Sequence, residues 1–259
     1  MRNGEKMVID RRELKQTAKT LLHESRPSML LVGLLFLGIL FLFSFLNLKL
    51  SGYGDIAVWE TFSRYLEAGD TERALSYFYS IQPTRFESFV SYALDLAQAL
   101  LTAGFVIFIM NSVRNESPTV YNLLDGFTQF FRVIILTLIQ GLIISLLSVF
   151  LIVPGIIAAY CYRFSLYLLL DHPELSVFQC LSLSRNMMRG HKMDLFVLDL
   201  SMIGPILLFL FLPVTGFYVL PYLYTVWILY YEQIREKFFP ELHRTPRNDS
   251  DDLPPSDFD

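Results

Sequence analysis

Residues 28–48 read SMLLVGLLFLGILFLFSFLNL, twenty-one residues without a charged side chain. About 20 apolar residues in a helix cross the roughly 30 Å of hydrocarbon in a bilayer. Such a run has no polar face to turn to water, so a surface helix of a soluble domain is excluded. It lies too far from the N-terminus and is too long for a cleaved signal peptide, and no small-x-small cleavage site follows.

Three further stretches repeat the signal. FVSYALDLAQALLTAGFVIFIM (89–110) is a second span holding one acid, Asp95, read as a wet helix end. Residues 133–170 and 195–231 are each too long for one crossing. The first breaks at Val153-Pro154-Gly155 and the second near Pro213 to Gly216, where Pro and Gly mark turns. The expected fold is an all-α polytopic membrane protein with six spans in three hairpins, at about 28–48, 89–110, 133–152, 154–170, 195–212 and 216–233. Kinks are expected at Pro205 and Pro221. Residues 1–27 form a basic N-terminal segment, 28–236 the membrane domain with a long loop at 49–88, and 237–259 a disordered acidic tail.

Charge placement sets the expected orientation. Residues 1–27 carry seven Lys/Arg and four acids; the 49–88 loop carries four Lys/Arg diluted by six acids. Arg114, Arg132, Arg185, Arg189, Lys192, Arg235 and Lys237 fall on the same side as the N-terminus, and both Pro/Gly breaks are uncharged. Lys and Arg concentrate on the cytoplasmic side, so both termini are expected inside. The chain is 18% charged with net charge −4, which excludes a uniformly basic surface for nucleic acid. Cys161 and Cys180 sit in or beside apolar stretches and suggest two small buried residues rather than a disulfide framework.

One polar island interrupts the apolar half, DHPELSVFQCLSLSRNMMRGHK at 171–192. Ser176 and Gln179 have capping-box spacing, Leu175 can staple onto Cys180, and Gly190 stops the helix. At 100° per residue Val177, Cys180, Leu181, Ser184, Met187 and Met188 share one face; Gln179, Ser182, Arg185, Asn186 and Arg189 take the other. That pattern suits a helix lying on an anionic inner leaflet, with Arg185, Arg189 and Lys192 at the lipid surface. His172 and His191 flank it about 28 Å apart if the stretch is helical, too far to share a metal unless the segment folds back.

The N-terminus repeats the device. Asp10 caps, Glu13 completes the box and Ile9 can staple onto Leu14. Leu14, Ala18, Leu21 and Leu22 form the apolar stripe, and Arg11, Arg12, Lys15 and Lys19 the lipid-surface contacts. SPTVYNLLDGFTQFFRV (117–133) reads as a third, rougher elbow, giving three units of an inner-face segment followed by a two-span hairpin. In the 49–88 loop, Asp70 or Thr71 starts a helix through ERALSYFYSI, and Trp59, Phe62 and Leu66 recur at near-helical spacing. Packing at the outer interface suits these aromatics; a small receptor-like cap is the alternative.

Ionisable groups inside spans are functional candidates by default. Gln140, Arg163 and Asp199 each lie about seven residues or fewer from the inner end of their spans and form a candidate polar layer. An Arg163–Asp199 pair would lower the cost of burying either charge alone. It serves either as a packing clasp or as the lining of a cavity for a lipid headgroup or small substrate. His-Glu-x-x-His, Gly-x-Ser-x-Gly, the phosphate-binding Gly-rich loop and Cys-x-x-Cys are all missing, so no catalytic residue, cofactor or metal is expected.

RRELKQTAKTLL, LLDGFTQFFR, the stretch from FLIVPGIIAAYCYRFSLYLLLDHPELS through LSLSRNMMRGHKMDLFVLDLSMIG, and LPYLYTVWILYYEQI resemble an uncharacterised bacterial integral-membrane family, the domain-of-unknown-function family nine-seventy-five. The resemblance implies a bacterial plasma-membrane protein of six spans and leaves its activity open. More loosely, the layout resembles the membrane domain of some glycerophosphodiester phosphodiesterases, whose catalytic barrel has no counterpart here. The expected function is a non-enzymatic scaffold or accessory protein in lipid or envelope homeostasis, with membrane lipids and a membrane-protein partner. A transporter-like protein using the Gln140/Arg163/Asp199 layer is the alternative.

Overall fold

A computed structural model describes residues 10–51, 53–81 and 83–238, and every regular element among them is helical. The first helix, α1 (Arg11–Glu24), starts where the Asp10 carboxylate accepts the Arg12 and Glu13 amides at 2.8 and 3.4 Å. The expected staple from Ile9 lies outside the described residues. Leu14, Ala18 and Leu22, four residues apart, are buried on one face.

α2 (Met29–Leu50) then runs against the last helix, α13 (Gly216–Phe238). Thr225 faces the Met29 sulfur, a Cβ on Gly33 would meet Pro221 Cγ at 2.4 Å, and one on Gly216 would meet Leu37 at 2.8 Å. The two helices are therefore antiparallel and almost in backbone contact at Gly33. Burial on α2 stops at Leu37, opposite the start of α13, and the thirteen residues beyond it extend about 20 Å past that point. Beside them runs α5 (Arg85–Arg114), which starts at a Thr84/Glu87 capping box and buries nothing before Leu100.

Between α2 and α5 the 49–88 loop folds into α3 (Ile56–Glu67) and α4 (Thr71–Ser80), started by Asp55 and Asp70 and joined at Gly69, φ +74°. Trp59, Phe62 and Phe78 pack with ring centroids 5.6–6.2 Å apart, and Trp59 Nε1 donates to the Tyr53 carbonyl at 2.8 Å. No residue of α3 is buried, so this hairpin rests on aromatic contacts rather than a core.

Over the expected elbow at 117–133 lie a short helix, α6 (Asn122–Asp125), pressed onto α5, and the first residues of the next long helix, which starts at Phe130. A Cβ on Gly104 would meet the Leu123 carbonyl oxygen at 2.0 Å, and one on Gly126 the Leu100 carbonyl oxygen at 2.0 Å, so the two backbones touch. α7 (Phe130–Phe150) and α8 (Ile152–Cys161) form an antiparallel hairpin joined by one extended residue, Leu151. The turn expected at Val153-Pro154-Gly155 is therefore displaced. Pro154 sits in the first turn of α8, where its missing N–H costs no hydrogen bond, and Gly155 lets α8 approach Ser148.

α9 (Ser165–Asp171) continues α8 after a non-helical step at Tyr162 to Phe164. α10 (Val177–Met187), begun by the expected Ser176/Gln179 capping box, packs back against α9. Ser184 of α10 closes the step, accepting the Phe164 N–H at 3.2 Å and donating to the Cys161 carbonyl at 2.9 Å. α11 (Lys192–Ser201) and α12 (Ile203–Phe211) meet at a 50° bend. Its cause is Pro205, which has no N–H for the Ser201 carbonyl one turn earlier. A 3-10 turn at Pro213–Thr215 leads to α13, which runs unbroken through Pro221.

Among the described residues, four helices are long and apolar enough to cross a membrane: Met29–Leu50, Arg85–Arg114, Phe130–Val149 and Ile152–Asp171, the last combining α8 and α9. The bent α11–α12 pair makes five if it is one span. α13 has the length but not the composition, because five tyrosines replace aliphatic residues along it. It is instead the hub of the core, packed on α1, α2 and α5.

Candidate functional site

The polar layer comes together around a residue that sequence reasoning passed over, Trp227 of α13. Asp199 of α11 accepts Trp227 Nε1 at 2.8 Å and the Tyr160 hydroxyl at 2.9 Å. The Arg163 guanidinium lies over the Trp227 ring, 4.0 Å from its centroid. Gln140 of α7 donates to the Tyr162 carbonyl at 3.1 Å, closing one backbone group of the α8–α9 step. Arg163 and Asp199 make no ion pair within 4 Å, so the expected salt bridge is replaced by an indole shared between cation and carboxylate. A cation over an indole face is attracted by the ring quadrupole, and the indole N–H meets the anion at its edge. The buried Arg163 Nε has no hydrogen-bond partner.

A second polar cluster, read from sequence only as scattered charges, is far more densely bonded. Arg114, at the C-terminus of α5, donates Nη1 and Nη2 to the two carboxylate oxygens of Asp171 at 2.7 and 3.0 Å. It also donates Nε and Nη2 to Glu232 Oε1 at 2.9 and 2.6 Å. Arg235 bonds Asp171 at 2.8 Å and Glu232 at 2.7 Å, and the Tyr231 hydroxyl donates to Asp171 at 3.0 Å. Two guanidinium and two carboxylate charges thus sum to zero across α5, α9 and α13. The Asp171 side chain is only 8% exposed, a burial that is costly for a lone charge and tolerable for a paired, fully bonded one.

A local signal pointed to this cluster. Asp171 ends α9, where unsatisfied carbonyls and the negative end of the helix dipole disfavour an acid. An acid placed there needs cations from elsewhere, and Arg114 and Arg235 supply them.

The seven basic residues expected at the lipid surface separate into groups. Arg11 pairs with Asp194 at 3.9 Å. Arg12, Lys15 and Lys19 line a cleft of about 440 Å³ between α1, α13 and the α11–α12 bend. Arg185 and Lys192 line another, of about 380 Å³, beside Cys161 and Tyr162; Arg189 is exposed. A third cleft, of about 440 Å³, borders Arg114, Glu232 and Arg235. None of these three is lined by Gln140, Arg163 or Asp199.

The face of α10 expected to meet lipid is already covered. Val177, Cys180, Leu181, Ser184, Met187 and Met188 are all buried within the protein. Burial also pushes the Cys180 thiol up, which keeps it protonated and inert at neutral pH. His172 bonds Glu174 at 2.8 Å and His191 lies 3.6 Å from Asp194, each beside its own carboxylate. Among the described residues no three His, Cys, Asp or Glu side chains gather closely enough to hold a metal. Asp95, expected as a wet helix end, accepts Asn47 Nδ2 at 3.0 Å and links α5 to α2.

Residues 147–238 match a family described as a protein of unknown function (DUF975). That segment contains Arg163, Asp171, Asp199, Trp227, Glu232 and Arg235, but not Arg114 or Gln140. No curated protein and no solved structure matches the chain, and the looser likeness to glycerophosphodiester phosphodiesterases has no counterpart among these findings.

Proposed function

For a chain whose residues 147–238 match the DUF975 family, we propose a non-enzymatic scaffold or accessory protein of a bacterial plasma membrane. It crosses six times with both termini in the cytoplasm, and it acts on lipids or on a membrane-protein partner. The fifth and sixth crossings are the bent α11–α12 pair and the tyrosine-rich α13. The excess of Lys and Arg on the N-terminal side favours this orientation.

One observation carries the scaffold reading: the charges are spent on one another. Asp171 accepts from three residues, Glu232 from two, and Asp199 from an indole and a phenol. Groups tied in this way hold helices in register instead of presenting themselves to a substrate. A second reading, a transporter-like protein, is favoured by the buried Arg163 Nε without a partner, which a carboxylate or phosphate could take.

The two separate in one mutant set read by abundance in the membrane and by native mass spectrometry. A register clasp predicts that Arg163→Leu and Asp199→Leu each lower abundance, while the double variant recovers, because the uncompensated charge is gone. A transport site predicts that Asp199→Asn accumulates normally and loses a co-purifying small molecule that the parent retains. Full abundance of both single leucine variants, with that loss, sinks the scaffold reading of this layer.

A further inference from the structure

The cleft between α1, α13 and the α11–α12 bend differs in sign from the one beside Arg114 and brings together three cations, where the one beside Cys161 and Tyr162 has two. The one beside Arg114 is bordered by Glu13, Glu232 and Glu236; this one is lined by Arg12, Lys15, Lys19, Ser201, Tyr218 and Tyr222, with no carboxylate among its lining residues. None of the three cations makes an ion pair among the described residues. The Lys15 ammonium has only the Ser201 hydroxyl, at 3.3 Å. Arg12 and Lys19 are exposed and Lys15 is half-buried, so three positive charges converge on about 440 Å³ without compensation.

The bend supplies the second half of the argument. Pro205 both causes it and lines the cleft, and α12 leaves the cleft with no buried residue at all. Ile203, Ile206, Leu208 and Phe211 are exposed along it. A cationic, hydroxyl-bearing hollow therefore opens directly onto a bare apolar helix. The complement of that surface is a molecule with an anionic head and hydrocarbon tails.

We propose that this cleft binds the phosphate of an anionic phospholipid headgroup, with the acyl chains lying along α12. The proposal rests on the lipid-handling part of the function proposed above and gives it a site. The shared chemistry is a phosphate met by Lys and Arg donors, so a soluble phosphate is the other source.

The test uses the full chain in neutral detergent, with mixed micelles of phosphatidylglycerol or phosphatidylcholine, read by native mass spectrometry. Helix content and a single monodisperse species are checked for each variant. The parent should retain phosphatidylglycerol over phosphatidylcholine. Arg12→Gln/Lys15→Gln/Lys19→Gln should lose that retention by on the order of a hundredfold, since each cation at an anionic surface contributes about fivefold. Lys15→Arg/Lys19→Arg should keep it, and so should Arg185→Gln/Arg189→Gln, which alters basic residues outside this cleft.

Retention unchanged in the triple variant overturns the site; if the Arg185/Arg189 variant then loses it, the lipid-handling reading stands with its site elsewhere. A parent without preference for phosphatidylglycerol ends both. Equal loss in the charge-keeping variant also overturns the proposal, since geometry rather than charge would then decide. If excess inorganic phosphate displaces phosphatidylglycerol from the parent, the phosphate chemistry holds and the lipid as its source is overturned.

Discussion

The two ends of α5 are held to their neighbours in opposite ways. At one end, Arg114 of α5 sits in a neutral quartet with Asp171, Glu232 and Arg235, bonded through both nitrogens of each guanidinium fork and backed by Tyr231. At the other, α2 beyond Leu37 and α5 before Leu100 share one polar contact, Asn47 to Asp95. Phe41, Phe45, Phe86, Phe89 and Tyr92 stand exposed there. The first end is rigid because any group withdrawn leaves charges unpaired; the second is cohesive only through what surrounds it. Apolar side chains need no partner helix where lipid already covers them, whereas buried ions need partners everywhere.

Four substitutions bear on that contrast, in falling order of effect. Arg114→Ala leaves Asp171 and Glu232 with one cation between them, and removing one member of a buried pair costs about 3–5 kcal/mol. Thermal unfolding in detergent should show the largest Tm drop of the set, and a loss below about 1 kcal/mol would mean that the quartet is screened like a surface pair. Ser184→Ala orphans the Phe164 N–H and the Cys161 carbonyl at the α8–α9 step. Its expected cost is about 1–3 kcal/mol, and hydrogen exchange should rise at Phe164 first.

Asn47→Ala should cost under about 1 kcal/mol, because both partners are in the extension and the bond is exposed. A larger loss would show that the extension is as tightly built as the quartet. Glu174, fully exposed, gives the smallest effect. Its own backbone N–H first, and His172 second, hold its carboxyl below the usual range. The folded state thus favours the ionised form, a contribution present above the ordinary carboxylate pKa and lost as pH falls through the lowered one. Glu174→Gln should slightly lower stability at neutral pH, leave it unchanged below the lowered pKa, and so slightly flatten the acid limb of a stability–pH curve.

How far the sequence reached follows from what is local. The buried face of α10 was legible residue by residue, since helical periodicity alone fixes which side chains share a side. What that face touches was not: lipid and protein interior ask for the same residues, and only Ser184 at the α8–α9 step shows that protein covers it. Pro154-Gly155 was read as a turn because the two residues mark turns in general, yet Pro is equally at home in a helix's first turn and Gly where two helices touch. Gln140, Arg163 and Asp199 were found as polar residues among apolar ones. Trp227, which joins two of them, gives no such contrast in a tyrosine-rich helix. The quartet draws residues from positions 114, 171, 232 and 235; Glu232 and Arg235 stand at helical i,i+3 spacing, but no spacing rule connects them to Arg114 or Asp171.

The place of α13 in the chain has a consequence for biosynthesis. It is the last helix described, yet α1, α2 and α5, among the first to leave the ribosome, all pack on it. Until it emerges, Gly33 and Met29 face no Pro221 or Thr225, and Arg114 lacks both Glu232 and Arg235. The early helices must therefore wait, unassembled, for a C-terminal keystone. A chain stopped just before residue 216 would hold an incomplete bundle in which Arg114 has Asp171 alone, without the Glu232 and Arg235 that complete the quartet or the Tyr231 that backs it.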